Sequence, residues 1–221
     1  MKTGMLITVG ALVMSTITPF AAGSLGASSV ASATESAEQE IREFLTENNV
    51  PAEQQTQLVE KLANGEKWDS LGGVRPASTT TTEEDGQLII LERYPDGSVV
   101  RSTIDDPQQH ASRSVTSCNL TSSSSFHNTY TNCYGNVEFG IVQMGFHFDR
   151  TSYKETYRGK ITKYYGTQFR VVGGTMSNHK LERFSESRVR YSGTVSTSKV
   201  QFTAWMEAHV GMGNSAWTTH L

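Results

Sequence analysis

From Val115 onward the chain alternates apolar and polar positions with a period of two, the signature of strands with one buried and one solvated face. The longest such run is Val200, Phe202, Ala204, Met206, Ala208 and Val210, interleaved with Gln201, Thr203, Trp205, Glu207 and His209. Val137, Phe139 and Ile141 form a second run, and Phe146 with Phe148 a third, opposite Gly145, His147 and Asp149. Val189, Tyr191, Gly193 and Val195 form a fourth, opposite Arg188, Arg190, Ser192 and Thr194, and Ile161, Phe169 and Val171 continue the series. One-sided strands of this kind predict a mainly β fold, an antiparallel β-sandwich or small barrel over 115–221.

The pattern ahead of it differs. Over 34–71 the period is helical, with Ile41, Phe44 and Leu45 on one face and Leu58, Val59 and Leu62 on another. Ser36 with Gln39 reads as a capping box, Asn48-Asn49 as a stop, Pro51 as the start of a second helix, and Asn64-Gly65 as its end. The spacing predicts a short helical hairpin closed by Trp68 and Leu71. Residues 72–86, with Gly72-Gly73, Pro76 and the run Ser78 to Thr82, read as a linker. Over 87–104, β-rich runs flank Pro95-Asp96-Gly97-Ser98, a hairpin signal. A second linker is expected over 105–114.

The first 33 residues carry an export pattern. Lys2 gives a positive start, Met5 to Phe20 is free of charge, and Ala31-Ser32-Ala33 has the form that signal peptidase reads. Ala21-Ala22-Gly23 is the second candidate cut. Thr8, Gly10, Ser15, Thr16, Thr18 and Pro19 dilute the stretch below what a membrane anchor needs. No transmembrane segment is expected after cleavage, and export places the product in the secreted, extracellular space. In that compartment Cys118 and Cys133 are expected to form a disulfide around a segment rich in Ser, Thr and Asn.

Charge divides the chain. Between Thr34 and His110 there are six Lys and Arg against sixteen Asp and Glu. Between Ala111 and Leu221 there are twelve against six. Such asymmetry points to an interaction: an acidic leader shielding a basic β domain, or a basic domain facing an anionic polymer.

The string Phe44-Leu45, Val50-Pro51, Leu62, Trp68-Asp69-Ser70, a Thr-rich stretch and a Tyr-Pro-Asp-Gly-Ser hairpin resembles uncharacterised secreted proteins of Gram-positive actinobacterial type. The resemblance implies a helical and hairpin leader, a β-rich domain and secretion; it implies no activity.

Motifs for known chemistry are sparse. Gly174-Thr175-Met176-Ser177-Asn178 departs from the nucleophile elbow at its fifth position. The chain has no H-E-x-x-H, P-loop or dinucleotide fingerprint, and no cofactor or metal site is predicted. His147 with Asp149, and Glu138, Glu207 and His209, are expected as solvent-facing polar residues. The alternatives are that His147 and Asp149 begin a metal site or a His–Asp pair, and that Glu138 and Glu207 serve a hydrolase, a glycosidase needing two carboxylates across a cleft. Trp205, a large aromatic on a polar face, marks a contact site or lies under the helical hairpin. Tyr153, Tyr157, Tyr164 and Tyr165 alternate with Lys154, Arg158, Lys160 and Lys163, a mixture suited to sugar polymers, anionic glycans or lipid headgroups. The predicted binding surface is Trp205 with Lys154, Arg158, Lys160, Lys163, Arg188 and Arg190. Nucleic acid is not an expected partner. The reading is a non-enzymatic secreted module. A secreted toxin or membrane-active protein with a shielding acidic leader is the second reading, and a hydrolase whose site is assembled only in three dimensions the third.

Overall fold

A computed structural model of the chain describes residues 25–105, 118–153, 158–213 and 215–221, with side chains from Glu35 onward. Residues 1–24 of the export pattern, with the uncharged stretch and the Ala21-Ala22-Gly23 cut, and most of the 105–114 linker lie outside the described residues. Helix α1 (Leu25–Glu47) leads into α2 (Ala52–Ala63) and a single 3-10 turn at Asp69–Leu71. Eleven strands follow: β1 (Ser78–Glu84), β2 (Gln87–Arg93), β3 (Val99–Asp105), β4 (Asn119–Ser123), β5 (His127–Glu138), β6 (Val142–Tyr153), β7 (Lys160–Val171), β8 (Gly174–Ser185), β9 (Arg188–Thr197), β10 (Gln201–Val210) and β11 (Ala216–His220). All pairings among the described residues are antiparallel. One sheet runs β1-β2-β3-β5-β6-β7, with β4 also paired to β5; the other runs β11-β10-β9-β8.

The fold is the expected antiparallel β architecture, resolved as two facing sheets. The alternation read from the sequence sets their inner faces: Val137, Met144, Phe146 and Phe148 on one, and Val189, Tyr191, Val195, Phe202, Ala204 and Met206 on the other are all buried. Gly135 faces Met206 and Thr218 across the gap, where a Cβ would already touch both. Cys118 and Cys133 are bonded. The bridge joins the start of β4 to β5 where β3 gives way to β4 along the edge of β5.

Three boundaries differ from expectation. Segment 72–86 is not a linker: its β-branched run Ser78 to Thr82 forms β1, and Asp85-Gly86 turns it into β2 with both residues at positive φ (48° and 79°). The 87–104 hairpin is not a separate unit, because β3 pairs with β5 inside the larger sheet. Ser36 does not cap α1, which starts at Leu25 and runs through Ala31-Ser32-Ala33, where the two alanines are strong helix formers.

The helical hairpin is part of the core. Ile41, Leu45, Val50, Leu58, Leu62, Trp68 and Leu71 belong to the same buried cluster as the sheet interiors. The hairpin caps one end of the sandwich: Gly140 in the β5–β6 turn meets Trp68 and Phe44, Gly173 in the β7–β8 turn meets Ala37, and Gly65 meets Lys199 of the β9–β10 turn. Asp96 of the β2–β3 turn fastens this end. Its carboxylate accepts hydrogen bonds from Lys61 Nζ (2.9 Å), the Asp69 N–H (2.9 Å) and the Ser98 hydroxyl (2.6 Å).

Burial pushes the Asp96 carboxyl upward, but Lys61, Ser98 and the backbone donors outweigh it and hold it below its ordinary value. A carboxyl so depressed stabilises the fold above its unfolded pKa, and that stability is lost as pH falls through the folded pKa. Asp96→Asn is therefore expected to cost about 1–3 kcal/mol at neutral pH, with the deficit shrinking in acid. Urea melts of both proteins at neutral and acidic pH measure it.

Candidate functional site

The outer face of the four-stranded sheet gathers the aromatic and cationic side chains. On β9, Arg188 and Arg190 alternate with inward Val189 and Tyr191. On β10, Trp205, Glu207 and His209 alternate with inward Ala204, Met206 and Ala208. Register sets Glu207 between Arg190 and Thr219, and His209 between Arg188 and Trp217. Phe184 joins this face from a bulge in β8 between Arg183 and Ser185.

Glu207 organises the cluster. Its side chain is only 5 % exposed. Arg190 directs both Nε and Nη2 to Oε1 at 2.8 Å. His209 Nε2 lies 3.1 Å from Oε2, the Thr219 hydroxyl 3.4 Å and Arg188 Nη1 3.8 Å. The Arg190 guanidinium sits 4.3 Å above the Trp205 ring and 4.5 Å from Phe184, which immobilises it in a cation–π stack. Burial holds the His209 imidazole below its ordinary value; Glu207 opposes this, and the charges of Arg188 and Arg158 add to it. His209 is then neutral near pH 7 and stacks on Trp217 with ring centroids 5.1 Å apart and planes 7° from parallel.

A row therefore crosses all four strands: Trp217, His209, Arg188 and Phe184. Trp217 and Phe184 are exposed, and the Arg188 side chain is 41 % exposed with its Glu207 contact at the outer limit of an ion pair. Arg158 bridges to Met212 at the rim of this face, and Lys160 pairs with Glu186 at 2.8 Å beside it.

The predicted surface is thus regrouped. Trp205, Arg188, Arg190, Arg158 and Lys160 lie on or around one face. Lys163 does not: it stands across from Asp149 on the outer side of the larger sheet. Lys154 and Tyr157 lie outside the described residues. Trp205 is half-covered by Arg190, not by the helices, which occupy the other end of the sandwich. Trp217 and Phe184, which sequence reading passed over, are the more exposed aromatics. For Trp217 a signal existed, since it alternates with inward Ala216 and Thr218; Phe184 depends on a bulge that breaks the alternation.

The remaining candidate groups do not converge. Asp149 and Glu207 are buried rather than solvent-facing. Asp149 Oδ1 accepts from the Tyr165 hydroxyl (3.0 Å) and the Asn132 N–H (2.9 Å), and His147 packs between Tyr134 and Tyr165. Glu138 accepts from Asn136 and Gln143 on the same outer face of the larger sheet. Glu138 and Glu207 therefore lie on opposite outer faces of the sandwich and cannot act across one cleft. A cleft of about 480 Å³ between the helices and the sandwich end is walled by Ile41, Val59, Leu62, Ile141, Val172 and Val200 and takes in neither His147, Asp149 nor Glu207. Among the described residues no group of three His, Cys, Asp or Glu is placed to hold a metal ion, and no helix is long and apolar enough to cross a membrane.

No family model and no curated protein matches the chain. Among solved structures, it is similar to a hypothetical protein from Listeria monocytogenes EGD-e, at 15 % identity over 63 % of this chain and 100 % of that one, with a TM-score of 0.35. A score of that size does not establish a shared fold.

Proposed function

We propose that the protein is a secreted, non-enzymatic β-sandwich module that binds an anionic glycan polymer at or outside the cell envelope through the outer face of β8–β11. The row Trp217, His209, Arg188 and Phe184 carries this reading. Flat aromatic surfaces at its two ends suit sugar rings, and the Arg188 guanidinium between them suits a carboxylate or phosphate. Glu207 fixes Arg190 without neutralising Arg188, so a cation remains available to a ligand. Export rests on the amino-terminal pattern, and a disulfide is in keeping with it.

The acidic leader does lie against the β domain, with Glu40 of α1 paired to Arg170 of β7, but its helices pack at the end away from Arg158, Lys160 and Arg188 and leave that surface uncovered. Retention on immobilised carboxymethyl-dextran, with plain dextran and anionic phospholipid vesicles as controls, tests the proposal. Wild type is expected to be retained by carboxymethyl-dextran. Arg188→Glu and Trp217→Ala are each expected to weaken retention about tenfold, the loss of one central contact. Equal retention of all three proteins would overturn the reading. Preference for vesicles would move the ligand to lipid headgroups.

A further inference from the structure

We propose that β1 is a self-recognition edge, through which two copies of the chain join by antiparallel β1–β1 pairing about a two-fold axis at Thr81. This rests on the edge strand alone and is independent of the ligand assigned above.

An edge strand exposes a row of unpaired backbone donors and acceptors, and proteins blunt such edges with bulges, lysines, prolines or short strands. The other edges here are treated so. The ladders of β4, β7 and β8 to their neighbours are broken by register shifts, and β11 is five residues long. β1 is different. It pairs with β2 through seven consecutive positions without a shift, and all seven of its residues are exposed. Its run Thr79-Thr80-Thr81-Thr82 is β-branched and free of charge and proline, and the charges of β1, Glu83 and Glu84, lie together at its end.

The charges choose the partner and its direction. Parallel self-pairing would set Glu83 beside Glu83 and Glu84 beside Glu84, and like charges directly opposite are destabilising. Antiparallel pairing centred on Thr81 engages all seven residues. It places Thr81 opposite Thr81, Thr80 opposite Thr82, Thr79 opposite Glu83 and Ser78 opposite Glu84. The partner's carboxylates then arrive at the end of β1 near the exposed Arg75 and near Arg93, whose backbone pairs with Ser78 and whose guanidinium donates to the Asn48 carbonyl. This register joins positions of the same parity, so outward-facing backbone groups meet outward-facing ones. A two-fold contact of this kind closes on itself and stops at a dimer. An unrelated extended peptide fits less well: strand addition draws specificity from side-chain pockets beside the edge, whereas both faces of β1 are open.

A single strand pair buries less than the ~1,200–2,000 Å² of a stable interface, so the dimer is expected to be weak and concentration-dependent. Sedimentation of the full chain over rising concentration should show a monomer–dimer equilibrium. Thr81→Lys sets two ammonium groups against each other at the axis and should weaken dimerisation at least tenfold, with the circular dichroism spectrum unchanged. Register is read by single cysteines in a chain whose other two are bonded. Thr81→Cys should yield a disulfide-linked dimer on mild oxidation, and Ser78→Cys should not. A chain that stays monomeric at every soluble concentration, a dimer indifferent to Thr81→Lys, or equal cross-linking of both cysteine variants would each overturn the proposal. So would a monomer that instead captures a free Ser-Thr-Thr-Thr-Thr peptide, which would make β1 a peptide-binding edge.

Discussion

Replacing Trp68 with alanine is expected to cost about 3–5 kcal/mol of stability, the range for removing a buried tryptophan. The ring is fully buried, and its indole N–H donates to the Leu58 carbonyl at 2.8 Å. It also fills the space above Gly140, where the glycine's positive φ of 82° brings the β5–β6 turn against it. Trp68 thus ties α2, the turn and the sandwich end together. Alanine leaves a cavity and an unsatisfied carbonyl at the point where helices and sheets meet. Chemical denaturation gives the loss as a lower midpoint. If the helices undock while the sheets persist, the slope of the transition falls as well, because less surface is exposed on unfolding. A loss below about 1 kcal/mol, smaller than that of ordinary core truncations, would mean that the helices are not integral to the core.

The second large effect is expected at the disulfide. Cys118 and Cys133 are 15 residues apart, and both are buried. Closing a loop of that length stabilises a fold by about 3 kcal/mol in the chain-entropy account. Replacing both by serine is expected to lower stability by about that much. The loss should fall first on β4, a five-residue, fully exposed strand whose only sheet partner among the described residues is β5. Hydrogen exchange checks this: amides of β4 and of the first half of β5 should lose protection ahead of β9 and β10. Uniform loss across both sheets would place the bridge's contribution in the whole fold rather than in this corner.

How much of this was legible in the sequence depended on whether the signal was local. The inner faces of β9 and β10 follow directly from period-two alternation. The disulfide follows from two cysteines behind an export pattern. The helices were legible as elements, but their role was not: two narrow apolar faces look marginal until Gly140, Gly173 and Lys199 bring three turns to one place. The strand β1 was hidden by composition. Threonine runs suggest linkers, yet β-branching and the Asp85-Gly86 dipeptide are the marks of a hairpin with two positive-φ residues. The aromatic–cationic row was half visible. Arg188, Arg190 and Trp205 stand on polar strand faces in the sequence, whereas the burial of Glu207 and the arrival of Phe184 depend on pairing register and a bulge, which no single strand reveals.

The acidic helices lie at one end of the strands and Arg158, Lys160 and Arg188 toward the other, so charge is unequally divided along them. In the field of a polyanion such a body experiences a torque before it makes any contact. At physiological salt that field is screened over about 8 Å, so the torque acts only in the last approach. There it turns the basic end forward and leaves the acidic helices trailing. On an anionic polymer bound as proposed, such molecules would share one orientation, the outer face of β8–β11 toward the polymer and the acidic helices at the far end, and would add negative charge to the layer facing the medium.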